Sequence, residues 1–275
     1  MSSILPSFLE KYAEVVKKKN SILCVGLDPA LPVQRMRQVI PNDDRLEFMR
    51  RIILDVAPFT SVIKMNRQYL IGLTVDEIRQ LNITIHQQGM LSIIDHKLAD
   101  IGSSNISAIF WFKEEGFDAF TFNPYGGNIE EATRMAHEKK LGIIVITLMS
   151  NPQAIIQKLL NIYAIPFFLH IAEICKVAKS DGCMIGAGSH IQLIDVAQIK
   201  QNIGNNAIAL VPLMGPHKES AKNVILHFGD KAMISVGGAI LYSDDPPLKA
   251  CQFQEEFNTY REKVNQRSFG VLNNL

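Results

Sequence analysis

Residues 90–102 read MLSIIDHKLADIG, an apolar run followed directly by three charged side chains. If the run is a strand, residues i and i+2 face the same side, so Asp95 and Lys97 would stand side by side. Asp100 falls beyond the strand end, where the chain has turned into a loop. Charges at the end of a buried strand are costly to desolvate unless they pair with one another or take part in chemistry. The segment therefore predicts either a structural ion pair or a catalytic cluster.

Apolar runs of this kind recur along the chain at intervals of roughly 25 to 40 residues, with helical stretches between them. Continuous apolar runs, rather than alternating ones, are typical of parallel strands buried on both faces. Eight βα units in about 250 residues predict an α/β fold of the (β/α)8, or TIM-barrel, type; an open doubly wound sheet is the alternative. The predicted strands are Ile22–Leu27, Ser61–Met65, Met90–Ile94, Ala119–Phe122, Gly142–Leu148, Gly182–Ile185, Ala207–Val211 and Ala232–Val236.

Helices are predicted between these strands, for example from Asp44 to Ala57 and from Ile129 to Lys140. A further amphipathic segment, Leu5 to Lys19, precedes the first strand and predicts an extra helix within residues 1–20 that closes the barrel bottom. No low-complexity tract or Pro/Ser-rich linker divides the chain. We therefore expect one domain over residues 1–275.

Composition narrows the function classes. The chain has 275 residues, 47% of them hydrophobic and 20% charged, as in ordinary globular proteins. A net charge of +1 does not indicate nucleic-acid binding. The longest apolar run, Leu141 to Met149, is too short to cross a bilayer, and no signal-peptide core is present. The cysteines and histidines are scattered, which favours reduced thiols in the cytoplasm and predicts no metal site.

Polar side chains or glycines follow most of the predicted strands. In a barrel all strand carboxyl ends open onto one face, where active sites form. Each residue alone could be a cap or a turn residue, but together they predict a site. They are Asp28 after strand one, Lys64 and Asn66 at strand two, Asp95 and Lys97 at strand three, Ser150 after strand five, Pro212 at strand seven, and Gly237 and Gly238 after strand eight.

These segments resemble one family, orotidine 5′-monophosphate decarboxylase. Asp95-His96-Lys97-Leu98-Ala99-Asp100-Ile101 is similar to its most specific motif. Four further segments match in the expected order over nearly the whole chain: Leu27-Asp28-Pro29, Ile63-Lys64-Met65-Asn66, Met149-Ser150-Asn151-Pro152, and Ala239-Ile240 through Asp244-Asp245-Pro246.

The resemblance implies decarboxylation of orotidine monophosphate to UMP without a cofactor, in a homodimer. Lys64, Asp95 and Lys97 would form the catalytic array, completed by Asp100 from the second subunit. Lys97 would stabilise the carbanion at C6 and protonate it. Asp28 and Lys64 would bind the ribose, Ser150 the pyrimidine edge, and Ile101 would be an apolar wall. The full set of expected substrate-binding residues is Asp28, Asn66, Ile101, Ser104, Ser150, Pro212, His217, Gly237 and Gly238.

The phosphate end departs from the family pattern. The family has Gly-Arg-Ala-Ile after the last strand, but this chain has Gly237-Gly238-Ala239-Ile240, so the arginine that clamps the phosphate is absent. His217 stands roughly where the family has a glutamine. We expect His217, Lys218 or the backbone N–H groups at Gly237 and Gly238 to receive the phosphate instead.

Two other functions stay open at this point. One is a catalytically impaired barrel kept as a structural or regulatory dimer, which the missing arginine favours and the retained charges oppose. The other is a related sugar-phosphate decarboxylase or synthase that needs a magnesium ion. A metal requirement would separate it from the decarboxylase.

Overall fold

The computed structural model describes residues 6–40, 44–213 and 218–272, without the side chains of residues 218 and 265–272. Parallel strands form a closed barrel with the order β1-β8-β7-β6-β5-β4-β3-β2 around it. The predicted α/β barrel is therefore confirmed, and the open sheet is excluded. The barrel strands are β1 Leu23–Gly26, β2 Val62–Asn66, β3 Leu91–Leu98, β4 Ala119–Phe122, β5 Gly142–Leu148, β6 Gly182–Ile185, β7 Ile208–Leu213 and β8 Ala232–Val236.

Helices surround the barrel and connect its strands. The α-helices are α1 Phe8–Lys19, α2 Arg45–Val56, α3 Val75–Gln87, α4 Gly102–Glu114, α5 Ile129–Glu138, α6 Ile156–Leu159, α7 Phe167–Ala178, α8 Leu193–Ile203, α9 Lys218–Phe228, α10 Gly238–Leu241 and α11 Pro246–Leu272. Short 3-10 helices span Ala57–Phe59, Arg67–Tyr69, Pro124–Gly126, Pro152–Ile155 and Gly229–Lys231. Two-residue strands, Asn161–Ile162 and Ile165–Pro166, form a small antiparallel hairpin ahead of α7.

Helix α1 lies across the amino ends of the strands. The Ser7 side chain caps its N-terminus by accepting a hydrogen bond from a backbone N–H of the first turn. The Phe8 ring packs over Gly142 at the start of β5, where any side chain would collide with it. The Tyr12 hydroxyl donates to the Ala232 carbonyl at the start of β8 over 2.7 Å. These contacts attach α1 to the end of the barrel opposite the predicted site.

Strand β3 is longer than the sequence predicts. It runs to Leu98 instead of ending at Ile94, and its register with β4 shifts between these two residues. A shift of this kind re-aims side chains and is frequent beside active sites. Asp95 and Lys97 therefore lie within the last residues of the strand, whereas Asp100 follows it.

The fold buries most of the cysteine side chains. Cys24, Cys175 and Cys183 are buried free thiols and Cys251 is partly exposed, as the scattered cysteines indicate. Burial raises the pKa of Cys24 to about 12, so this thiol is neutral and packs as an apolar side chain. Within the described ranges, no helix combines the length and apolar character of a membrane span.

Candidate active site

A cavity of about 670 Å³ opens at the carboxyl ends of the barrel strands. It gathers side chains and backbone that are far apart in the sequence, as the strand-end pattern predicts. The expected site residues that line it are Asp28, Lys64, Asn66, Asp95, Lys97, Ser150, Pro212, Gly237 and Gly238. Asp100, Ile101 and Ser104 do not line it, and His217 lies outside the described residues.

The centre of the cavity holds a lysine–aspartate–lysine array. Asp95 Oδ2 lies 2.9 Å from Lys64 Nζ, and Asp95 Oδ1 lies 2.8 Å from Lys97 Nζ. The side chains of Lys64 and Asp95 are 5% and 6% exposed, whereas that of Lys97 is 35% exposed. Lys97 is therefore the member of the array that is open to a ligand.

Thr121 on β4 fixes the array from the side. Its hydroxyl donates to Asp95 Oδ1 over 2.9 Å and accepts a hydrogen bond from the Lys97 backbone N–H over 2.9 Å. Lys97 has a φ of +54°, in the left-handed region that non-glycine residues seldom adopt. Such strain costs on the order of 1–3 kcal/mol and persists where the surrounding structure enforces it, often at functional sites.

Mutual charge stabilisation sets the ionisation of the array. Burial alone would raise the pKa of Asp95, but the ammonium groups of Lys64 and Lys97 outweigh it and hold that pKa below its ordinary value. Burial alone would lower the pKa of Lys64, but the carboxylates of Asp28 and Asp95 outweigh it and raise that pKa. Asp95 is thus a carboxylate and Lys64 an ammonium at neutral pH.

Asp28 stands beside Lys64 at the end of β1. Its Oδ1 accepts a hydrogen bond from the Asn66 backbone N–H over 3.1 Å, and its carbonyl accepts one from the Tyr242 hydroxyl over 3.0 Å. The Asn66 side chain caps the following 3-10 helix by accepting from the Gln68 N–H. Asn66 lines the cavity, as the sequence predicts, but its side-chain oxygen already accepts this local hydrogen bond.

The connection after β5 passes close to two glycines after β6. A side chain at Gly186 or Gly188 would collide with the backbone of Ser150. The Met149 carbonyl lies 3.0 Å from His190 Nε2. The position of Ser150 at the cavity thus depends on Gly186 and Gly188, which the sequence analysis missed because single glycines after a strand read as ordinary turn residues.

Asp100 lies on an exposed part of the β3–α4 connection. Its Oδ1 accepts a hydrogen bond from the Ile101 N–H, and its carbonyl accepts from the side-chain amides of Asn105 and Asn128 over 2.7 and 3.0 Å. Ile101 is 65% exposed, and Ser104 is exposed on α4. The loop is anchored by these hydrogen bonds, yet its predicted functional side chains do not line the cavity of their own chain.

Exposed apolar side chains surround this loop. Tyr125, in the connection anchored to Asp100 through Asn128, is 88% exposed. Ile106 and Phe110 lie one turn apart on α4, and the Phe110 and Trp111 rings are 5.3 Å apart. All three α4 side chains are exposed. We call the set Ile101, Ile106, Phe110, Trp111 and Tyr125 the α4 apolar face.

The β1–α2 connection contributes residues that the sequence analysis did not identify. Arg35 and Gln38 from this connection line the cavity together with Gly237 and Gly238, and so does Tyr69 from the 3-10 helix after β2. No periodicity or motif distinguishes Arg35 from the other arginines of the chain, so its position depends on tertiary contacts.

No group of three or more His, Cys, Asp or Glu side chains within the described ranges is placed to hold a metal ion. The acidic groups of the cavity, Asp28 and Asp95, face Lys64 and Lys97 instead of one another.

The closed barrel and the lysine–aspartate–lysine array in the cavity at its strand ends place the chain among (β/α)8-barrel proteins with a charged cluster where the active sites of this fold lie. Comparison with known proteins gives the family. The chain belongs to the orotidine 5′-phosphate decarboxylase / HUMPS family, whose model matches residues 21–253.

Individual relatives cover most of the chain. An orotidine 5′-phosphate decarboxylase of Thermomicrobium roseum is 28% identical over 86% of this chain and 88% of its own length. One of Cupriavidus metallidurans is 27% identical over 93% and 99%. The solved structure of Leishmania donovani OMP decarboxylase has a TM-score of 0.77 at 21% identity, over 93% of this chain and 99% of that one. The structural likeness supports the same fold.

Proposed function

We propose that this protein decarboxylates orotidine 5′-monophosphate to UMP, the last step of de novo pyrimidine synthesis. The observation that carries the proposal is the Lys64–Asp95–Lys97 array, in which only Lys97 is substantially open to the cavity. The curated relatives described above bear the name of this activity.

Lys97 is the proposed acid. When the bond between C6 and the carboxylate breaks, CO₂ leaves and the electron pair stays on C6. The Lys97 ammonium stabilises this pair and then transfers a proton to C6, and solvent reprotonates the amine. Asp95, 2.8 Å from Lys97 Nζ, holds the ammonium in place. The resulting chemistry requires no electron-accepting cofactor.

The remaining cavity residues bind the substrate in this proposal. Asp28 and Lys64 hydrogen-bond the ribose hydroxyls, and Ser150 contacts the pyrimidine edge. The phosphate lies near Gly237 and Gly238. Asn66 and Pro212 are further contacts from the cavity wall. Ser104, which does not line this cavity, and His217, which lies outside the described residues, complete the expected set.

We further infer a two-fold homodimer. Asp100, Ile101 and Ser104 do not line the cavity of their own chain, and Ile101 belongs to the α4 apolar face. Exposed apolar patches of this kind commonly mark protein–protein interfaces. If the α4 apolar face packs against its own copy, Asp100 and Ile101 can enter the partner's cavity and complete its array.

The buried free thiols support a cytoplasmic location. We also propose that residues 1–275 form a single domain.

One assay separates the three candidate functions. Purified protein is incubated with orotidine monophosphate, with and without EDTA, and the loss of substrate absorbance is followed. Loss that EDTA does not affect, with UMP as product, supports the proposal. A folded dimer without turnover supports the impaired barrel. Turnover of a sugar phosphate that depends on magnesium supports the related decarboxylase or synthase.

A further inference from the structure

Arg35 is fixed at the cavity wall between two aromatic rings. Its guanidinium carbon lies 5.7 Å from the centre of the Tyr69 ring and 5.4 Å from that of the Tyr242 ring. Stacking of this kind suits the planar, weakly hydrated guanidinium better than an ammonium group. The side chain is half-buried, so a large part of its orientation is set by the protein.

Hydrogen bonds restrict Arg35 further. Its Nε donates to the Gln38 carbonyl over 2.9 Å, and its Nη2 donates to the Tyr242 hydroxyl over 3.1 Å. That hydroxyl also accepts from the Ala30 N–H and donates to the Asp28 carbonyl, both over 3.0 Å. Arg35 is therefore tied to the same short segment that carries the predicted ribose ligand Asp28.

The charge of Arg35 has no counterpart within the described ranges. Arg67 pairs with Glu115 and Arg261 with Asp230, but Arg35 forms no ion pair with any described carboxylate, and its Nη1 donates to no described group. A guanidinium with free donors at a cavity wall is a ready ligand for an oxyanion, which it can bind through two parallel hydrogen bonds.

The loop that carries Arg35 approaches Gly238, where the arginine of the family pattern is missing. A Cβ placed on Gly238 would lie 3.0 Å from Oε1 of Gln38, three residues along the same loop from Arg35. The loop that carries Arg35 thus covers the space that a side chain at position 238 would enter. Arg35 and Gly238 both line the cavity.

We propose that Arg35 binds the phosphate of the substrate and replaces, from the first βα connection, the cation that Gly238 does not provide. The inference rests on the proposed function, because it assumes a nucleoside monophosphate in this cavity. It assigns phosphate recognition to a different strand end from the one used in the family pattern.

The test compares Arg35→Gln and Arg35→Lys with Arg37→Gln, a matched control in the same loop that is exposed and does not line this cavity. The measurements are kcat/KM for orotidine monophosphate, and the Kd of UMP and of uridine by calorimetry. Arg35→Gln should lower kcat/KM and weaken UMP binding by roughly 10- to 100-fold, with uridine binding unchanged. Arg35→Lys should fall between Arg35→Gln and the unmodified protein, because it keeps the charge but loses the fork and the stacking. Arg37→Gln should match the unmodified protein.

Adding Gly238→Arg to Arg35→Gln gives a second readout. If both positions can supply the same cation, the double variant should recover most of the lost UMP affinity. Equal weakening of UMP and uridine by Arg35→Gln, or weakening of neither, would overturn the inference. So would an identical effect of Arg37→Gln.

The two proposals can fail separately. If the unmodified protein does not decarboxylate orotidine monophosphate, the proposed function fails, and calorimetry with inorganic phosphate then decides the inference. If the unmodified protein binds phosphate and Arg35→Gln does not, the inference that Arg35 forms an anion site stands. If the unmodified protein does not bind phosphate, or if Arg35→Gln binds it equally well, the inference is wrong.

Discussion

The two ends of the barrel use similar charged groups in different ways. At the amino ends of the strands, the buried Asp118 accepts hydrogen bonds from Lys11 Nζ over 3.1 Å and the Ser92 N–H over 3.0 Å, and lies 2.8 Å from His86 Nε2. At the carboxyl ends, the equally buried Asp95 contacts two lysines and a threonine. The partners of Asp118 tie α1 and α3 to the adjacent strands, whereas one partner of Asp95 faces an open cavity.

The pattern at the amino ends repeats at Asp181. Its Oδ2 lies 2.9 Å from His137 Nε2 at the end of α5 and accepts from the Ile143 N–H over 3.0 Å. Both carboxylates thus join the end of a helix to the backbone of a strand. A buried charge is therefore not by itself a sign of catalysis. An opening of the charged group onto a cavity is the more informative feature.

The largest expected effect is the difference in activity between two lysine substitutions, one at the carboxyl ends of the barrel strands and one at their amino ends. Lys97→Ala should lower decarboxylation of orotidine monophosphate by more than about 100-fold, since stabilisation of the carbanion and its protonation are both lost. Lys11→Ala, the matched change beside Asp118, should leave turnover within about twofold and cost at most ~1 kcal/mol of stability, because this pair is partly exposed. The measurements are steady-state kinetics and thermal unfolding. Comparable activity loss in both variants would contradict the division between the two ends.

The next largest effect tests whether Asp100 of a second subunit completes the charged array in the cavity. Equal amounts of Lys97→Ala and Asp100→Ala subunits, after exchange, should recover about a quarter of the normal specific activity, because half of the dimers carry one intact site. A mixture of Lys97→Ala with Asp95→Asn is the control and should recover none, since both residues belong to the same chain's array. No recovery in the first mixture after verified exchange would show that each site is built from one chain.

The smallest expected effect is on stability and concerns Asp118 at the amino ends of the strands. Burial alone would raise the pKa of Asp118, but hydrogen bonds from His86 and Ser92 and the charge of Lys11 outweigh it and lower that pKa. The carboxylate therefore contributes stability above the unfolded pKa of about 3.9, and this contribution is lost as the pH falls through the lower folded value. Asp118→Asn should cost about 1–3 kcal/mol at pH 7, and less as the pH falls below about 4. Denaturant unfolding at both pH values is the measurement. A cost that does not depend on pH would contradict the role given to the ionised group.

The sequence predicts the barrel well because its strands are buried on both faces. Ala119–Phe122 and Gly142–Leu148 were predicted with their observed bounds, since continuous apolar runs between turn residues identify such strands. The long helix α11 was not predicted, because its polar residues are frequent and one of its packing partners, α2, comes from a distant part of the chain.

The site was predicted in part. The pairing of Asp95 with Lys97 follows from their spacing, and the structure brings them to 2.8 Å. The left-handed backbone at Lys97 could not be predicted, because lysine does not favour it and Thr121, 24 residues further on, holds it in place. Arg35 was missed for a similar reason, since its aromatic neighbours Tyr69 and Tyr242 approach it only in the folded chain.

The central claim is that Lys97 moves a proton to and from C6 in the open end of the barrel. Proton transfer is reversible, so the unmodified protein in D₂O should exchange the C6 hydrogen of UMP for deuterium, measured as loss of the C6 proton signal by NMR. Lys97→Ala should exchange it no faster than buffer alone, while Lys11→Ala should match the unmodified protein. Exchange by Lys97→Ala at the rate of the unmodified protein would contradict the account.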